Sequence, residues 1–113
     1  MKFVLRVSIS EDNYVKLLEL SNTTKLSVSD LFSIALFRFP TQLIKKAHNS
    51  NRYGHSVPQS LSVSLSVLNK FNKLCESRAD LKKSDVADFV LSWFFENLEQ
   101  FRDDLELVRF IKF

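Results

Sequence analysis

Two stretches of the chain alternate strictly between apolar and polar positions. Near the start, VLRVSIS (Val4 to Ser10) sets Leu5, Val7 and Ile9 against Arg6, Ser8 and Ser10. Past the middle, SLSVSLS (Ser60 to Ser66) sets Leu61, Val63 and Leu65 against Ser60, Ser62 and Ser64. A period of two puts the two sets on opposite faces of an extended strand. The pattern predicts a first strand over Lys2 to Ile9 and a second that begins at Gln59, each with one aliphatic face to be covered.

Each strand runs into a helical pattern. Ser10 has the place of a helix N-cap, with Glu11 and Asp12 in the first turn where the helix dipole favours them. The stripe Tyr14, Leu17, Leu18 and Ser21 carries a first helix to about Asn22; Thr23 to Lys25 connect, with Leu26 as a buried anchor. Ser27 and Asp30 have capping-pair spacing. The helix that follows, Leu31 to Phe39, is apolar on most of its circumference and must be buried on several sides. Pro40 ends it, since proline lacks the backbone N–H, and Thr41 to Lys46 form a further turn. In the second half the stripe is Leu68, Phe71, Leu74 and Cys75, with Ser64 or Ser66 as its cap. Asp80 and Leu81 then connect to a helix carrying Val86, Ala87, Phe89, Val90, Leu91, Trp93, Phe94 and Leu98.

Strand, helix, helix therefore occurs twice, over residues 1–44 and 59–98, separated by a basic linker, 45–58, and followed by an acidic and aromatic extension, 99–113. The copies do not align at one shift. The strands match at 56 residues, the starts of the second helices at 55, and the first helices at 54. In the extension, Phe101, Leu105, Val108 and Ile111 continue a helical period, while VRFIKF at the end also alternates like a strand.

Composition narrows the picture. A chain of 113 residues with 45% hydrophobic positions is expected to form one domain, and one Gly and two Pro favour helices over tight turns. The single Cys75 rules out an internal disulfide and reads as a small buried hydrophobe, which fits a cytoplasmic location. The first ten residues alternate, unlike a signal peptide, and no apolar run is long enough for a membrane span. His48 and His55 read as solvated loop residues, and no metal or other cofactor is expected. The net charge is only +3, but it is unevenly placed. From Leu31 to Cys75 there is no acidic residue, against Arg38, Lys45, Lys46, Arg52, Lys70 and Lys73; from Glu96 to Glu106 the balance reverses. A basic side and an acidic end follow.

Strand, helix, helix with the connection LSVSDLFSIAL resembles the ribbon-helix-helix family of DNA-binding regulators, the Arc/MetJ/CopG type. The match covers Lys2 to Phe39 well and Gln59 to Phe95 more loosely. Tandem copies in one chain are uncommon there, and some archaeal viral regulators are similar. The resemblance implies a mainly α fold with a two-stranded antiparallel ribbon, the two repeats pairing as a pseudo-dimer within one chain or by domain swapping. It also implies that the ribbon enters the DNA major groove, with base reading by Val4, Arg6 and Ser8 and by Ser60, Ser62 and Ser64. A guanidinium can bond O6 and N7 of guanine together, so Arg6 leads this set. The starts of the second helices, Ser27, Val28 and Ser29 and then Lys82, Lys83 and Ser84, are the implied phosphate clamps. Lys2, Lys45, Lys46 and Arg52 are further phosphate candidates. One strand has Arg6 and the other only serines, so the expected operator is asymmetric, with specificity in the half touched by Arg6.

An enzyme is not expected, for there is no glycine-rich phosphate loop, no His pair on one helix and no nucleophile elbow. The competing reading is an antitoxin or other interaction module that covers a partner protein with Glu96 to Phe113. Self-association through that end is the remaining partner expectation; no membrane or small-molecule substrate is expected.

Overall fold

The computed structural model describes residues 2–48 and 55–102. The alternating stretches become β1 (Phe3–Ser10) and β2 (Ser56–Val63), joined as an antiparallel two-stranded sheet. Four helices follow the expected order: α1 (Glu11–Thr24) and α2 (Val28–Arg38) after β1, then α3 (Leu65–Ser77) and α4 (Lys83–Glu96) after β2. The chain is thus mainly helical with one small ribbon. Among the described residues, no helix is long and apolar enough to cross a membrane.

Local chemistry sets the helix starts. Ser10, Ser27 and Ser64 each turn a side-chain oxygen onto the N–H three residues ahead, at Asn13, Asp30 and Val67. Each such cap holds one of the N–H groups that a helix start leaves unpaired and contributes about 1 kcal/mol. At α4 the residue in that place is Lys82, whose ammonium has no lone pair to offer; the bond runs only the other way, from the Lys82 N–H to Asp85 Oδ2 at 3.1 Å. The first helix runs two residues past its expected end because Lys25 closes it in the left-handed region, φ 65°, donating its N–H to Ser21 O at 2.8 Å. A side chain there crowds the following carbonyl. Lys25→Gly is therefore expected to raise stability by about 1 kcal/mol, read as a higher thermal midpoint; an unchanged or lower midpoint would contradict that account.

The two halves are interleaved. α2 of the first half packs on β2 of the second, and α4 of the second on β1 of the first, with α2 and α4 in contact between them. Leu5, Val7, Ile9, Leu61 and Val63 point from the ribbon into one core with Leu31, Phe32, Leu36, Val86, Val90 and Leu91. The expected anchors Leu26 and Leu81 are both buried. The second helix of each half thus covers the strand of the other, and the aliphatic faces of both strands are buried in one shared core.

Some expectations change. Leu18 is exposed rather than part of the buried stripe, and Phe37, on a helix expected to be covered nearly all round, is 71% exposed. Asn13 is buried instead. Its Nδ2 donates to Asp88 Oδ1 at 2.8 Å and to Ser92 Oγ at 3.0 Å, while the Ser10 N–H reaches the same Asp88 oxygen at 3.1 Å. This polar joint ties α1 to α4. The second strand begins at Ser56, inside the expected linker, and so contains Pro58. In a two-stranded ribbon both strands are edges, and proline is tolerated where its missing N–H would have faced outward. Thr41–Lys46 form a 3-10 helix. Beyond Glu96, Leu98–Phe101 make a short 3-10 turn whose Phe101 is buried against Trp93 and Phe94. The expected continuation through Leu105, Val108 and Ile111 lies outside the described residues, as does Arg52.

Candidate nucleic-acid interface

The register of the ribbon decides which side chains share its outer face. Val4 lies opposite Ser62, Arg6 opposite Ser60 and Ser8 opposite Pro58. All of these are exposed except Ser8, which is half-buried, while the alternate positions Leu5, Val7, Leu61 and Val63 are buried. The structure therefore brings five of the six expected base-reading residues together. The sixth, Ser64, is not among them. It is half-buried past the end of β2, where its hydroxyl caps α3 and lies 3.1 Å from Ser66 Oγ. Its place on the face belongs to Pro58, which sequence reasoning passed over as a linker residue.

This settles the shift between the halves. The two capping serines, Ser10 and Ser64, stand 54 positions apart, and the same shift carries Arg6 onto Ser60, its own cross-strand partner. The strands therefore follow the first helices at 54, not 56. Arg6 sits at the middle of the ribbon rather than in one half of it.

The starts of the second helices stand at the ribbon's two ends. The Ser62 N–H donates to Ser29 Oγ at 2.9 Å, and the Ser8 N–H donates to Ser84 Oγ at 2.9 Å. Both strand N–H groups point outward from the ladder, so Val4–Ser62 and Ser8–Pro58 are pairs that exchange no ladder bonds. Arg6–Ser60, two residues from each, belongs to the same class by the alternation of an antiparallel ladder, and in that class facing side chains stand closest. The two serine ties fix α2 beside the Val4–Ser62 end and α4 beside the Ser8–Pro58 end. A shallow groove on the α4 side is lined by Arg6, Ser8, Pro58, Ser60 and Ser84. Among the described residues, no hydrogen bond or ion pair holds the Arg6 guanidinium.

Of the implied phosphate contacts, Ser27, Val28 and Ser29 cluster at one end of the ribbon and Lys82, Lys83 and Ser84 at the other. Ser27, Lys82 and Lys83 are exposed, and Val28, Ser29 and Ser84 half-buried. Lys2 is exposed one residue before β1. Lys45 and Lys46 are not brought to this face. Arg78, at the C-terminal end of α3, donates through Nη1 to the carbonyls of Ile44 and Ala47 at 2.9 and 2.6 Å, which holds that turn about 20 Å along α3 from the ribbon.

Other cations of the basic stretch have structural work. Lys70 Nζ donates to the carbonyls of Phe37 and Phe39 at 3.0 and 2.8 Å, closing the end of α2, and burial lowers its pKa. The Arg78 guanidinium also bonds Asp80, whose carboxyl it holds below the usual range. Cys75 is half-buried against the core, and burial pushes its thiol pKa up, which disfavours the reactive thiolate. His48 and His55 are exposed.

The arrangement offers an exposed two-stranded face with one guanidinium that has no partner among the described residues, and several hydroxyls. At its flanks stand two helix starts, one of them bearing two lysines. A surface of this kind has donors for base edges in its centre and donors for phosphates on either side. Compared with known protein families, curated proteins and solved structures, the chain finds no match.

Proposed function

We propose that the chain is a sequence-specific binder of double-stranded DNA that acts as a transcriptional regulator, with the ribbon lying in the major groove. In this reading the two interleaved halves are the single-chain counterpart of a ribbon-helix-helix dimer. The observation that carries it is the outer face centred on Arg6 and Ser60, flanked by α2 and α4 through the Ser29–Ser62 and Ser84–Ser8 ties. A two-stranded ribbon fits the major groove in width, and its alternate residues then face base edges while the other set stays in the core. The helix starts meet the backbone beside it, where the outward backbone N–H groups of a helix N-terminus and its dipole favour phosphate.

Selection of bound sequences from a random DNA pool, repeated at two salt concentrations, tests the reading. Enrichment of a motif and a steep loss of affinity with salt are expected; neither would sink it. Arg6→Ala is expected to lose about 1–3 kcal/mol on the preferred site and much less on random duplex. An equal fall on both would remove Arg6 from base reading. Lys83→Ala is expected to weaken binding to all sequences alike and to flatten the salt dependence by about one ion. A loss confined to one sequence would contradict a phosphate role.

The interaction-module alternative places the partner on residues 96–113. The described start of that segment packs Phe101 into the core, which favours the plain regulator.

A further inference from the structure

We propose that the chain reads its duplex in one fixed orientation, on a site that is nearly palindromic at its edges and broken at its centre; this rests on the DNA-binding reading above. The carrying observation is where the unlike residues fall on the ribbon. The shift of 54 carries Val4 onto Pro58, Arg6 onto Ser60 and Ser8 onto Ser62. The outer positions therefore match in chemistry, an apolar side chain with an apolar one and serine with serine. Only the middle differs, an arginine against a serine, and these two face each other across the strands.

A ribbon made of two identical strands would put two like residues at that centre and read both DNA strands alike. Here a single guanidinium stands there. It satisfies the O6 and N7 of one guanine, on one DNA strand, while the facing hydroxyl accepts several bases. The outer pairs present the same groups to both half-sites, so those half-sites are related by symmetry.

A second difference gives the orientation a direction. In the helix starts, Lys82 and Lys83 stand where the first half has Ser27 and Val28. The bond from Ser8 to Ser84 places that lysine pair at the Ser8–Pro58 end. Phosphates flanking that end meet two extra cations. The central guanine accordingly lies on a fixed strand relative to the more strongly held flank.

The test uses the full chain in four forms: wild type, Arg6→Ser, Ser60→Arg, and the exchange carrying both changes. Arg6 and Ser60 are exposed, so all four are expected to fold alike, which a thermal melt checks. Each form is taken through selection from a random duplex pool, and phosphate-ethylation interference then marks the heavily contacted flank. Wild type is expected to enrich like half-sites around one central guanine, preferred on the order of ten-fold over other bases. Arg6→Ser loses that preference, and Ser60→Arg gains a guanine on the opposite strand as well. The exchange moves the guanine to the other strand while the heavily contacted flank stays with Lys82 and Lys83. A palindromic wild-type centre, or a guanine that does not change strand in the exchange, overturns the orientation and leaves DNA binding standing. A wild-type pool with no enrichment overturns both.

Discussion

Ser60→Glu is expected to weaken duplex binding at least 100-fold, about 3 kcal/mol, while leaving the fold as stable as before. Ser60 is exposed at the middle of the ribbon, opposite Arg6, with the helix starts on either side. A carboxylate there acts in two ways. In the proposed complex it faces the acceptor-rich floor of the groove and the phosphates beside it, and such like-charge contacts cost several kcal/mol. It also stands within reach of the one guanidinium that would otherwise meet a base, and cross-strand pairs of opposite charge attract. That second effect is neutral or slightly favourable for folding, so the thermal midpoint should hold or rise. Asn69→Glu, at an exposed position of α3, adds the same charge away from the face and serves as the control. Equal losses in the two variants, or binding by Ser60→Glu within about threefold of wild type, would show that the ribbon centre does not meet DNA; threefold is about 0.7 kcal/mol.

Elements that depend on neighbouring residues were legible in the sequence, and those that depend on distant partners were not. Ser10 and Ser27 cap the helices they were expected to cap, since capping needs only a hydroxyl and an N–H three residues on. Leu26 and Leu81 are buried as expected. The register of the second strand was hidden because SLSVSLS repeats every two residues, so a slip of two leaves every residue on its proper face. Contacts remote in sequence choose between the registers: the Ser62 N–H finds Ser29, 33 residues away, and the Ser8 N–H finds Ser84, 76 residues away. Pro58 falls in the expected linker, and proline is disfavoured inside a wider sheet; only the knowledge that this sheet has two strands makes it acceptable in one.

Asn13 shows the same limit. A polar residue in the first turn of a helix reads as solvated, and its partners Asp88 and Ser92 are 75 and 79 positions away. One signal was available. At the 54-residue shift, Val67 stands in the place of Asn13, so an apolar residue in one copy marked a covered position in both. At the 55-residue shift of the second helices, Lys82 and Lys83 likewise stand as the charged counterparts of Ser27 and Val28. The candidate site was thus legible in its membership on β1 and at the helix starts, and illegible in its centre, because locating Arg6 against Ser60 requires the register.

Phe32→Ala is expected to cost about 3–5 kcal/mol, the largest single loss of stability among these predictions. Phe32 is fully buried on α2 and meets Phe71 of α3 edge to face, with ring centroids 6.0 Å apart and an interplanar angle of 68°. The contact joins the first half to the second. Truncation removes the apolar burial of one ring, leaves a cavity that helices held on both sides close only in part, and deprives Phe71 of a partner whose geometry alone is worth about 0.5–1.5 kcal/mol. Domains of this size are stable by about 5–15 kcal/mol, so about a fifth or more of the total is at stake. The thermal midpoint is expected to fall by roughly 15–30 °C. Phe32→Leu keeps most of the volume and should lose less than about 1.5 kcal/mol. Because α2 covers β2, the ribbon has no independent support once α2 loosens. Duplex binding is therefore expected to disappear along the same melting curve as the helical signal in Phe32→Ala. A ribbon that kept its DNA affinity above that midpoint, or a loss of less than about 1 kcal/mol, would mean that the two halves do not share one core.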